Sequence, residues 1–252
     1  FLWNRGIRHI DHVIGTHPQL DHVGGLAWIL AHFQVEKFWT NGAARQEEFW
    51  RRIERAIAQR KLEATVATEG RLISEGPACR MVVLNPQPRP ESSISAKSES
   101  LNNLSVVTEL VCREQRVLFT GDIEREALTR LTHSGNSAHI ALLKVPHHGA
   151  KSSLERRWLE TIRPAVGVVS AGRRNPYGHP AGEVLAAYQA VETQVWRTDR
   201  DGAIWADLDL TRQELSMHST REWILQPALP SADIWSVEQD NLRRLWRRWN
   251  WT

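Results

Sequence analysis

Residues 15–26 read GTHPQLDHVGGL and set His17, Asp21 and His22 within six positions, between an apolar stretch and a segment of helical character. The preceding HIDHVIGT (residues 9–16) has strand character, and GGLAWILAHF (24–33) reads as a helix opening on glycines. The three polar side chains therefore fall on a strand-to-helix loop, where αβ sheets carry their chemistry. Taken alone, such a cluster is as consistent with a polar turn as with a metal site.

The rest of the chain weights the second reading. LFTGDIE (118–124) ends a strand on Asp122, LLKVPHHGAKSS (142–153) ends another on His147 and His148, and SAGRRNPYGHP (170–180) places His179 after a further one. Four strand ends delivering imidazole or carboxylate make a poor coincidence, and that mixture suits zinc, iron or manganese. Between them lie VEKFWTN, RMVVLN, LSVVTELVC and AVGVVSAG as strands. AARQEEFWRRIERAIAQRK, IEREALTRLTHS and SSLERRWLETIR read as helices, the first with Phe49, Ile53, Ala56 and Ile57 on one face. The alternation is that of an α/β domain. QVWRTDRDGAIWADLDLTRQELSMH (194–218) reads as a late antiparallel ribbon turning at Asp201 and Gly202.

The chain has 252 residues and a formal net charge of +3, enough for one sizeable core and too little charge for a wholesale nucleic-acid binder. Cys79 and Cys112 lack the spacing of a zinc knuckle and give no disulfide framework. No stretch has the apolar length of a membrane span, and the charged opening FLWNRGIRHI is unlike a signal peptide, so the chain reads as soluble as given. It starts without methionine close to its first strand, as a fragment of a longer protein would. Residues 1–222 are expected to form the main domain, with PQPRPESSISAKSES (86–100) as a flexible surface loop. Residues 223–252 form a Trp- and Arg-rich tail. There Leu242, Leu245, Trp246 and Trp249 share one helical face and Arg243, Arg244, Arg247 and Arg248 the other, a pattern suited either to docking on the domain or to lying on lipid headgroups or nucleic acid.

Together THPQLDHVGGL, NNLSVV, LFTGDIE, LLKVPHHGAKSS, NPYGHP and RTDRDGAI resemble the metallo-β-lactamase-fold hydrolases, specifically the carboxyl-terminal domain of the DNA-uptake competence family ComEC/Rec2. The resemblance runs from about Ile7 to Trp205 and implies an αββα sandwich with a metal centre at one edge. It implies a nuclease that degrades one strand during uptake, attached in a longer parent to a membrane channel for DNA and so associated with the bacterial cell membrane. Carried over by position, the metal ligands are His17, Asp21, His22, Asp122, His148 and His179, with one or two divalent ions, manganese favoured and zinc possible. Asp21, Asp122 and His147 take the catalytic roles. Lys151, Ser152 and Ser153, read as the amino end of a helix, and Arg173, Asn175 and Tyr177 on the next loop are candidates for holding phosphate or DNA.

Two departures stand out. Gln19 occupies a position where this branch commonly has aspartate, and an amide is the weaker ligand. The family's amino-terminal hairpin and following strand, before the position of Ile10, are missing from the sequence. Two alternatives remain open on the residues alone: a hydrolase of a small ester or thioester on the same fold, or a binding module with a degraded centre.

Overall fold

The structure, a computed structural model, describes residues 2–43, 47–88, 100–133 and 139–221. The tail expected over 223–252, with its amphipathic helix, and all of the expected loop but its ends lie outside the described residues.

Two sheets stack between two layers of helices. The smaller sheet is parallel, in the order β1 (His9–Gly15), β2 (Gln34–Thr40), β3 (Glu63–Val66). The larger has seven strands. Its first four, β4 (Leu72–Glu75), β5 (Cys79–Asn85), β6 (Val107–Cys112) and β7 (Gln115–Phe119), run antiparallel. Beyond β7 the sheet turns parallel through β8 (Leu142–Lys144), β9 (Val166–Val169) and β10 (Gln194–Arg197). β11 (Ile204–Asp209) and β12 (Glu214–Ser219) form a separate ribbon.

Three apolar clusters mark the three interfaces of this sandwich. Val13, Val35 and Phe38 of the small sheet pack on helices α1 (Leu20–Val23), α2 (Leu26–His32) and α3 (Glu48–Arg60) through Val23, Leu30, Trp50, Ile53 and Ala56. Between the sheets lie Trp39, Ala67, Ile73, Val83 and Val106. The large sheet's outer face packs, through Leu118 and Leu143, on α4 (Arg125–His133), α5 (Arg156–Ile162) and α6 (Gly182–Ala190). The αββα arrangement expected from the sequence is thus present, and among the described residues β1 is the outer strand of its sheet.

Two expectations are corrected. Cys79 and Cys112 face each other across β5 and β6 and form a disulfide. A separation of 33 positions says nothing of that; the antiparallel register creates it. The helix expected from Gly24 is present as α2, with Gly25 at its amino end, and the extra turn α1 precedes the two glycines. Asp201 and Gly202 do not turn the ribbon, which reverses between Asp209 and Glu214. Instead the Asp201 carboxylate accepts a hydrogen bond from the Arg197 backbone N–H at 2.9 Å and so closes the short helix α7 (Thr198–Asp201).

Candidate metal centre

The carboxyl ends of β1, β7 and β8 meet where the two sheets adjoin, joined by the Val106 N–H donating to the Thr16 carbonyl at 2.8 Å. The chain after β1 brings Asp21 and His22 on α1, the turn after β7 brings Asp122, and the turn after β8 brings His148. Donor atoms of these four residues all lie within 4.8 Å of one another. Asp122 is the hub and is 1% exposed. Its Oδ2 lies 3.0 Å from His22 Nε2 and 3.1 Å from His148 Nε2, and those two nitrogens are 3.3 Å apart. Asp21 Oδ2 completes the ring at 3.7 Å from His22 and 3.5 Å from His148.

The surrounding bonds aim these atoms. A carbonyl can only accept, so the 2.7 Å contact between His148 Nδ1 and the Ser170 oxygen puts the ring proton on Nδ1 and frees Nε2 for a cation. Two facing imidazole nitrogens between two carboxylates are a poor hydrogen-bonding arrangement and a good donor set for a divalent ion. The residues therefore fit a metal.

Electrostatics points the same way. Burial pushes the Asp122 carboxyl up, but hydrogen bonds from His148 and His22 and the nearby Lys144 ammonium outweigh it and hold the group ionised far below the usual carboxylate range. The hydrogen bond with Asp122 raises the His148 pKa against the effect of burial. Lys144, from within the apolar run LLKVP, places Nζ 3.2 Å from Asp122 Oδ1 and 2.8 Å from the Gly121 carbonyl. Burial lowers its pKa, with Asp122 opposing.

The other expected ligands stand around this group rather than in it. His17 is 1% exposed, its Nδ1 lies 3.0 Å from Thr16 Oγ1 and 3.2 Å from Ser105 Oγ, and its Nε2 lies 3.2 Å from Gln19 Oε1. Gln19 in turn donates to Asn102 Oδ1 at 2.9 Å. His147 points Nδ1 at Glu124 Oε1, 3.2 Å away, and Nε2 toward Asp122 Oδ2, 4.0 Å away. His179 stacks on Tyr177 at 5.8 Å and meets His147 edge-on at 5.9 Å, and its pKa is lowered by burial and by the charges of His147 and His148.

The phosphate-binding candidates divide. Helix α5 begins at Arg156 with the Glu155 carboxylate capping it, so Lys151, Ser152 and Ser153 do not form its amino end. They form a separate turn in which Ser153 donates to the carbonyls of Pro146 and Ala150, Ser152 donates to Glu124, and Lys151 pairs with Glu183. Asn175 is spent on the backbone of His179, donating to its carbonyl and accepting from its N–H. Tyr177 is 78% exposed, and Arg173 lines a cavity considered below.

Lys144, Glu124 and Ser105 were missed by sequence reasoning. Only Lys144 left a signal there, as a cation inside an apolar strand.

Desolvation, aided by the positive charge of His22, lowers the His17 pKa from 6.5 to about 4. Between those values the unfolded chain binds the proton and the folded one does not, so stability is fully present above pH 6.5 and is lost as pH falls toward 4. The loss is on the order of 3 kcal/mol. Melting curves of chelator-treated protein should show it, and His17→Gln should flatten that part of the profile; an unchanged slope in the variant contradicts the assignment.

Comparison with known proteins agrees with the geometry. The family model of the metallo-beta-lactamase superfamily matches residues 1–76. ComE operon protein 3 of Bacillus subtilis is 28% identical over 205 residues, covering 81% of this chain and 25% of that protein. Recombination protein 2 of Haemophilus influenzae is 25% identical over 221 residues, covering 88% of this chain and 25% of that protein. The chain thus spans about a quarter of the length of these relatives. Among solved structures, Igni18, a metallo hydrolase from the archaeon Ignicoccus hospitalis, superposes with a TM-score of 0.45 at 15% identity, over 83% of this chain and 79% of that one. No helix among the described residues is long and apolar enough to cross a membrane. The chain thus has the metallo-β-lactamase fold and over most of its length is similar to ComE operon protein 3 and recombination protein 2.

Proposed function

We propose that the domain is a metal-dependent phosphodiesterase that cleaves DNA strands during competence-linked uptake, next to the membrane channel of a longer parent protein. The observation that carries this reading is the convergence of Asp21, His22, Asp122 and His148 beside a second acid–base pair, His147 and Glu124. A divalent ion held by the first four residues supplies a water activated near neutral pH and positive charge for the phosphoryl oxygens.

The chain's own residues do the rest. Lys144 holds Asp122 Oδ1 and so leaves Oδ2 toward His22 and His148. Glu124 accepts the Nδ1 proton of His147, which turns the opposite nitrogen toward the centre, where as imidazolium it can protonate the leaving oxygen. The exposed ring of Tyr177 offers a stacking face for a base. Incubating the domain with labelled single-stranded DNA and manganese should give cleavage that a chelator abolishes. Hydrolysis of small esters or thioesters with DNA left intact would overturn the reading.

Gln19 sets the metal preference. Its amide oxygen accepts from His17 Nε2 where a carboxylate would add charge, so the ground around His17 is a harder, looser position than a histidine-rich zinc site. Manganese should therefore support faster turnover than zinc, and Gln19→Asp should tighten metal binding by about tenfold. Calorimetric titration decides it: equal affinity in the variant puts Gln19 outside the ligand shell, and better turnover with zinc contradicts the preference.

A further inference from the structure

We propose that a cavity beside the metal centre, walled by four arginines, is a backbone-phosphate subsite for the polynucleotide strand flanking the cleaved bond, an inference that rests on the nuclease reading above. The cavity has a volume of about 640 Å³, and its wall includes Arg173, Arg197, Arg200 and Arg221 together with Asp199 and Asp201. The motif RTDRDG supplies four of these six residues, and neither the metal centre nor the acid–base pair uses it.

Charge selects the ligand. Asp199 grips Arg197 with both oxygens, at 3.1 and 2.7 Å, and Asp201 holds Arg200 at 3.0 Å. These pairs fix two guanidinium groups as a rigid wall, while among the described residues four cations against two carboxylates leave the cavity with two excess positive charges. Arg173 and Arg221 are exposed at its edge, and Arg221 donates to the Arg200 carbonyl. The charged groups in its wall are guanidinium forks in excess of carboxylates, and such a fork matches two phosphate oxygens at once.

Position selects the strand next to the reaction. Thr198, at the start of α7, donates its hydroxyl proton to the Ala171 carbonyl and accepts from the Ala171 N–H, both at 2.9 Å. The adjacent Ser170 carbonyl is the one that orients His148. One segment after β9 therefore braces the metal centre on one side and the cavity on the other. Arg173 lies three positions from Ser170, a chain reach of at most about 10 Å. A strand seated in the centre would therefore meet the cavity within a few nucleotides of the cleaved bond.

The test measures binding of a labelled single-stranded oligonucleotide to the domain in chelator, over a range of salt, so that nothing is cleaved. Arg173→Ala with Arg221→Ala should raise Kd by about tenfold and lower the slope of log K against log salt by about 1.4, which is 0.7 per lost phosphate contact. Arg173→Lys with Arg221→Lys should recover most of the slope. Arg52→Ala, on exposed α3 across the small sheet, controls for general loss of charge and should bind as the parent does. A wild-type slope in the alanine double variant overturns the subsite; if the protein still cleaves DNA, the nuclease reading stands without it. Binding to anionic phospholipid vesicles but not to the oligonucleotide overturns the subsite in favour of a lipid surface, and failure to cleave DNA as well removes the nuclease reading.

Discussion

Asp122→Ala should remove metal binding to below about 0.2 ion per chain after manganese supplementation and lower hydrolytic activity by at least about 10³-fold. The carboxylate is the common neighbour of His22, His148 and Lys144, and it lies closer to the two facing imidazoles than Asp21 does. The same substitution leaves the half-buried Lys144 ammonium with the Gly121 carbonyl but without its counter-charge, which lowers stability as well. Stability and chemistry can be separated. Adding Lys144→Met removes the stranded charge, so the double variant should regain most of its melting temperature while still binding no metal. Metal content by emission spectroscopy, read beside a melting curve, checks both halves. A double variant that binds metal would show that the ligands are elsewhere.

Gly149→Ala should be nearly as damaging, for reasons of backbone and space. Gly149 has φ +78°, and a Cβ there would sit 2.6 Å from Cβ of Pro180. The left-handed conformation costs a non-glycine residue about 1–2 kcal/mol, and overpacking a further 1–3 kcal/mol. At roughly 2–4 °C per kcal/mol in a domain of this size, the melting temperature should fall by about 5–15 °C. His147 and His148, at φ 46° and 56°, already hold the left-handed region just before it, and the Gly149 carbonyl accepts from Ala181 N–H at 2.9 Å. Relief of the clash must therefore shift His148 against His179, and metal affinity should drop by about 10–100-fold. Gly178→Ala is the control: it also has positive φ, +68°, but nothing lies within 4 Å, so it carries the backbone cost alone. Equal losses in the two variants would show that the Pro180 contact is immaterial.

The elements that carry the site were legible because each is a strand ending in a polar residue, and that pattern is local. His22, Asp122 and His148 could be picked out without knowing which strands adjoin. What sequence could not give is what depends on registers and packing. Lys144 sits in a strand where alternation would turn a lysine to solvent, yet the parallel pairing of β7 and β8 sets it beside Gly121 and Asp122. Glu124 meets His147 only because the turns after those two strands lie side by side. The Asp-Gly pair at 201–202 is a strong hairpin signal, and it was overridden by one carboxylate reaching back to the Arg197 N–H. Ser153 looks like an anion ligand until its hydroxyl is found committed to two carbonyls. Tertiary contacts decide such cases, and they leave no local trace.

The centre also has a kinetic meaning. His22 is 100 positions from Asp122 and 126 from His148, while the parallel pairings that align them need whole helical crossovers to form first. Bringing such distant groups together carries a loop-closure cost that early, local contacts do not repay, and domains rich in long-range pairings fold slowly. Asp21 and His22 alone, four and five residues from His17, are too few donors to seize an ion from a disordered chain. The centre is thus a late product of folding, completed when both sheets are in place, and the newly made chain must hold its sandwich together before an ion can fasten it.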